Sequence, residues 1–102
     1  MNPQLPITVV ARWQTSADNL SELIRLATQL RQHSLQEPDC IGYEIYQHTS
    51  NGEVLVFEQY ANSAAIETHR RSTHYRELLE QRIRPLLSGR QVELLQAASP
   101  RD

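Results

Sequence analysis

With 102 residues, 39% of them hydrophobic and 22% charged, the chain suits one globular domain with a modest core and is too apolar to stay unfolded. A formal net charge of -2 gives no global attraction to nucleic acid or to an anionic membrane surface. All ten basic residues are arginine, which reads as a compositional bias.

The opening "MNPQLPITVV" has no basic n-region and no long apolar h-region, so no signal peptide is expected. No apolar run approaches the ~20 residues that span a bilayer, and the cytoplasm is the expected compartment. Pro3 and Pro6 keep the first residues out of regular structure. Residues 7 to 14, "ITVVARWQ", alternate as a strand, with Ile7, Val9, Ala11 and Trp13 on one face. Trp13 is expected in the core or at a dimer interface. "TSADNLSELIRLATQLRQHSLQE" follows as an amphipathic helix with Leu20, Leu23, Ile24, Ala27 and Leu30 in its stripe. Ser16 or Asp18 is its candidate cap, and Pro38 stops it beyond Glu37.

Cys40, the only cysteine, allows neither an intramolecular disulfide nor a cysteine zinc cluster. Residues 41 to 48, "IGYEIYQH", alternate with Ile41, Tyr43 and Ile45 on one face. "TSNG" is a turn, and "EVLVFEQY", 53 to 60, completes an antiparallel hairpin. Glu58, inside that apolar strand, needs a buried partner, for which Arg12 is the candidate. Asn62 or Ser63 caps a second helix, "AAIETHRR". Ser72 or Thr73 caps a third, with Tyr75, Leu78, Leu79, Ile83 and Leu86 as its stripe. Pro85 ends or kinks it, Gly89 suits the exit turn, and "RQVELLQ", 90 to 96, is the last strand.

The order β-α-β-β-α(α)-β predicts an α+β, ferredoxin-like split βαβ fold: an antiparallel sheet with helices on one face. One domain spans residues 1-102, with its core over about 7-96. Val10, Leu55 and Phe57 make the other sheet face too apolar for solvent. A second copy is its expected cover, so a sheet-to-sheet homodimer is predicted.

"THRRSTHY", 68 to 75, holds His69 and His74 five residues apart. On an unbroken helix that spacing points them ~140° apart, and no third ligand is evident nearby, so no metal site is expected. Arg70, Arg71, Arg76, Arg82 and Arg84 interleave with Glu67, Glu77 and Glu80. That pattern is a solvated, salt-bridged face and not a phosphate track. If Ser72-Thr73 break the helix, His69 closes one helix, His74 opens the next, and both can face the gap between helices and sheet. There a histidine can act as a general base. The alternative is one histidine packed in the core and the other exposed. His33 and His48 are expected at the surface.

Pro38-Asp39-Cys40, Tyr43, Glu58-x-Tyr60, His69 and Ser72-x-His74-Tyr75, in that order and spacing, resemble the antibiotic biosynthesis monooxygenase (ABM) domain family. Asp39 stands where Gly is usual, and Tyr60 where Trp is usual. The resemblance implies a dimeric α/β barrel with a pocket between each sheet and its own helices. It also implies a cofactor-independent monooxygenase that oxidises a quinol or hydroxylated aromatic with O2. His74 is the first candidate for proton transfer and His69 the second; Tyr43, Tyr60 and Arg76 are candidate substrate-binding residues. "ITVVARWQ" lacks the Asn of haem-degrading members. A similar H-x-x-S/T-x-H-Y step occurs in a branch that isomerises a phosphorylated autoinducer-2 product, where Arg71 or Arg76 would meet the phosphate. A small-carbonyl isomerase and a non-catalytic ligand-binding dimer are the alternatives, the latter if no cavity admits a six-membered ring.

Overall fold

Strand β1 (Ile7–Thr15) runs through the middle of the sheet. Its alternating residues Ile7, Val9, Ala11 and Trp13 are buried under the helices, as their spacing predicts. The structure, a computed structural model, describes residues 5–98, so Pro3 lies outside it. The sheet order is β2-β3-β1-β4, with every neighbouring pair antiparallel, which is the ferredoxin-like arrangement.

A single 3-10 turn (Ala17–Asn19) precedes helix α1 (Leu20–Ser34), which therefore starts later than expected. Ser16 makes no side-chain capping bond, and Asp18 lies inside the turn. Leu23, Leu26, Ala27 and Leu30 are buried on the sheet, with Leu20 and Ile24 at the margin. Burial of this stripe, at roughly 2 kcal/mol per large side chain, holds α1 in place without a cap.

Strands β2 (Cys40–Gln47) and β3 (Val54–Tyr60) form the expected hairpin, with Gly52 at φ +71° in its turn. The alternation expected of β2 fails at its start. The register shifts between Cys40 and Gly42, so Ile41 is an extra residue and stands 58% exposed. Such a bulge reverses the parity of a strand. Here it lets both Cys40 and Tyr43 face the helices.

Asn62 caps α2 (Ser63–Arg70), its Oδ1 accepting from the Ala65 N–H at 3.0 Å. Helix α3 (Tyr75–Ile83) is wound as a π-helix, with the Arg84 N–H donating to the Leu79 carbonyl five residues back. Leu78, Leu79 and Ile83 are buried on its inner side. Pro85 sits in a terminal 3-10 turn, and β4 (Leu87–Leu95) begins at once. Gly89 is therefore not an exit turn. It lies inside β4 against Gln14, whose Oε1 would be 2.5 Å from any Cβ placed there.

The outer sheet face carries Val10, Leu55, Phe57 and Tyr46, with the Tyr46 and Phe57 rings edge to face at 5.5 Å. Arg12 lies on this face, 3.6 Å from both Glu53 and Glu93. It pairs across the sheet with Leu55, whereas Glu58 pairs with Val9, so Arg12 and Glu58 point to opposite faces. The expected Arg12–Glu58 pair is thus ruled out by register. No helix among the described residues is long and apolar enough to cross a membrane.

Candidate active site

The helix break expected at Ser72-Thr73 is present, and a single hydroxyl makes it. Ser72 Oγ donates to the His69 carbonyl at 2.6 Å and accepts the Tyr75 N–H at 3.1 Å. It ends α2 and starts α3 at once. The His69 and His74 rings come to 5.9 Å, a proximity their spacing forbids on a continuous helix.

Glu37 joins them. It lies in the turn after α1, and its Oε2 is 2.8 Å from His69 Nδ1 and 2.5 Å from His74 Nε2. An ionised carboxylate only accepts, so both nitrogens present N–H to it. The other nitrogen of His69, Nε2, stands 3.6 Å from Glu58 Oε1. Glu58 in turn accepts the Tyr60 hydroxyl at 2.6 Å. A polar chain therefore runs from His74 through Glu37, His69 and Glu58 to Tyr60. The His74 side chain is 18% exposed and that of His69 only 5%, so the chain leads from the surface inward. His33 is exposed and stacks on His74 at 5.6 Å.

Burial raises the pKa of Glu58 above the ordinary carboxylate range, against the opposing pull of the Tyr60 hydroxyl and of His69. Burial also pushes the Tyr43 and Tyr60 phenols up, with Glu58 adding to both. Cys40 is pushed up to about 11, first by burial and then by Glu37, so its thiol stays protonated and unreactive.

Glu37, His69 and His74 offer one oxygen and two nitrogens, all within 4.8 Å of one another. That is the donor set of a two-histidine, one-carboxylate metal site, with Glu37 as a third donor that the spacing of the histidines could not reveal. Their present distances of 2.5 and 2.8 Å to Glu37 are those of hydrogen bonds. Ligands of a tetrahedral ion with ~2.1 Å bonds stand roughly 3.4 Å apart, so the group would have to spread to take one.

His69, Glu58 and Tyr60 line an inner cavity of about 30 Å³, closed further by Tyr43, Trp13, Tyr75 and Arg90. This space holds a water-sized group and no ring. His74 is not on its wall. His69 faces the cavity, and His74 stands behind Glu37. Tyr43 and Tyr60 are on the wall as expected. Arg76 and Arg71 are exposed and away from it; the arginines that reach it are Arg70 and Arg90. A wider, open hollow of about 500 Å³ lies on the outer sheet face among Thr8, Gly42, Tyr46 and Phe57. It contains no histidine.

Glu37 and Arg90 were not legible as site residues. Glu37 is 32 and 37 residues from its two histidines, in a turn with no periodicity. Arg90 did leave a signal. In "RQVELL" it takes the inward position of an alternation continued by Val92 and Leu94, where an apolar residue is expected.

A family model described as antibiotic biosynthesis monooxygenase matches residues 6–81. The chain is 33% identical over 70 residues to a Mycobacterium tuberculosis protein named "Putative monooxygenase Rv0793", covering 69% of each. It is 32% identical over 76 residues to the Synechocystis protein sll1783, over 74% of this chain but only 52% of that one, about half its length. The solved structure of Rv0793 superposes with a TM-score of 0.86 at 28% identity, over 95% of this chain and 99% of that one. A conserved protein from Methanosarcina mazei gives 0.85 over 92% and 94% of the two chains. At 24% identity, that likeness is one of fold alone.

Proposed function

The chain belongs to the antibiotic biosynthesis monooxygenase family, and from that premise we propose that it is a cofactor-independent monooxygenase acting on a quinol or related hydroxylated aromatic. The observation that carries the proposal is His69 on the cavity wall, backed by Glu37 and His74 in one hydrogen-bonded line to the surface. Such chemistry needs a base, a dry pocket and an exit for a proton, and neither a nucleophile nor a metal.

In this reading His69 takes the phenolic proton through Nε2, and the positive charge that develops is held between Glu37 and Glu58. The phenolate passes an electron to O2. The radical pair combines at ring carbon, and the peroxide loses water to leave a hydroxylated quinone. A quinol and O2 thus give a hydroxyquinone and H2O, with no outside reductant. Tyr60, already donating to Glu58, and Tyr43 orient the ring. A six-membered ring enters only if the half-buried Tyr75 swings outward. The apolar outer sheet face supports the sheet-to-sheet homodimer that the family resemblance implies.

The small cavity favours one second reading, a dimer that binds a ligand without turnover. O2 uptake with a menadiol-type quinol separates the two. Uptake should survive metal chelation and fall by about a hundredfold or more in His69→Ala. No uptake across a broad quinol panel leaves the non-catalytic reading.

A further inference from the structure

The cavity that serves as the substrate site in the reading above has a second polar end, opposite His69. Trp13 on β1 and Arg90 on β4 are direct cross-strand partners, and both side chains line the cavity. Each carries a buried N–H donor, Trp13 Nε1 and Arg90 Nε, that has no hydrogen-bond partner among the described residues. Trp13 is 2% exposed, so water outside the protein cannot satisfy it. Native interiors rarely leave buried donors unmade, and orphaned ones call for an acceptor.

The neighbouring groups say what kind of acceptor. Arg90 Nη2 donates to the Tyr75 hydroxyl at 3.4 Å, a stretched contact that leaves the guanidinium free to turn inward. Arg70, the other cation on the wall, follows His69 on α2 and acts on Glu58, so it lies with the carboxylates Glu37 and Glu58 at the His69 end and leaves Arg90 as the cation of the β1–β4 end. An anionic oxygen is repelled from the Glu58 end and drawn to the Arg90 end. The free volume of about 30 Å³ admits the acceptor oxygen alone until Tyr75 moves aside for the ring.

We propose that Trp13 and Arg90 form an acceptor-oxygen subsite, which makes the ligand an aromatic bearing both a hydroxyl and an anionic or carbonyl oxygen. The hydroxyl meets His69, and the second oxygen accepts from the indole N–H and from the guanidinium in a charge-assisted bond. This names the substrate class within the proposed function and rests on the inner cavity being the ligand site. It asks nothing of O2 chemistry.

Trp13 is the only tryptophan, so its fluorescence reports on this subsite directly. The full chain is titrated without O2 with hydroxynaphthoate and with naphthol, which lacks the carboxylate. Hydroxynaphthoate should bind about tenfold tighter, the worth of one hydrogen bond to a charged group. Arg90→Gln should bring the two affinities together, and Arg90→Lys should keep part of the difference. Calorimetry on Trp13→Phe, which cannot be followed by fluorescence, should show the preference reduced. Circular dichroism checks that each variant is folded, and Arg90, being half-buried, tolerates replacement. Equal affinities in the parent protein, no binding of either probe, or a preference unchanged in Arg90→Gln each overturn the subsite. If the preference is found but no quinol supports O2 uptake, the subsite stands and the oxygenase reading falls.

Discussion

The two ends of the inner cavity are built on opposite terms. At the α2–α3 end the titratable side chains are tied together, from His74 through Glu37, His69 and Glu58 to Tyr60. At the β1–β4 end, Trp13 and Arg90 each hold a buried donor with no acceptor among the described residues. The first end is complete before any ligand arrives, as proton transfer requires, because a base must already be oriented. The second end is completed by what binds.

The largest effect should come from breaking the complete end at its middle. His69→Ala removes the group that both Glu37 and Glu58 face, and leaves two nearly buried carboxylates without it. About 3 kcal/mol of stability should be lost in urea unfolding, together with most of the O2 uptake. Arg90→Gln, at the unfinished end, should move stability by no more than about 0.5 kcal/mol. Equal losses from the two substitutions would erase the contrast.

His74→Ala should cost less. The cavity wall is untouched, and what is lost is the outward step of the relay from Glu37. Uptake should fall by about tenfold, and added imidazole should restore part of it, since that position is partly open to solvent. If His74→Ala and His69→Ala are equally inactive and imidazole rescues neither, the relay is the wrong account of this end.

The complete end and the unfinished end also differ in how far they could be read in advance. The fold followed from alternation, the α1 stripe and the Asn-Gly turn, because each is a local pattern with a local cause. Ser72 as the break between the helices was legible for the same reason. Glu37 was not, since only the closing of the whole fold brings it to His69 and His74. Parity was also insufficient: it placed Arg12 and Glu58 each on a face of its own strand, but the register between β1 and β3 decided that the faces differ. The bulge at Ile41 reversed parity, and its local signal is the adjoining Gly42, which a count of alternating apolar residues passes over.

Glu37→Gln tests whether one acceptor serves both histidines. Both bonds end on one oxygen, Oε2, so the amide oxygen can take its place and keep both contacts while the negative charge is lost. The charge-assisted part of the two bonds should go, at about 1–2 kcal/mol in urea unfolding. The rate should fall while the preference for hydroxynaphthoate over naphthol, set at the far end, stays as it was.

The smallest effect, and the one whose sign is most telling, belongs to Glu58. Burial raises its folded-state pKa above the unfolded value. Between those two values the folded chain therefore binds the extra proton, so stability falls as pH rises through that window and is higher below it. This is the opposite of a salt-bridged surface carboxylate. Glu58→Gln removes the ionisation while keeping an oxygen to accept from Tyr60. The net change at any one pH should be on the order of 1 kcal/mol or less, because the burial penalty and the pull of Tyr60 and His69 oppose each other. Its pH dependence decides the matter. Relative to the parent protein, Glu58→Gln should gain stability as pH rises above the ordinary carboxylate range and lose that gain as pH falls. A variant that instead loses ground with rising pH would mean that the charged form of Glu58 is the stabilised one, held by a protonated His69. The complete end would then be a structural ion pair, and His69 would not be free to accept a proton.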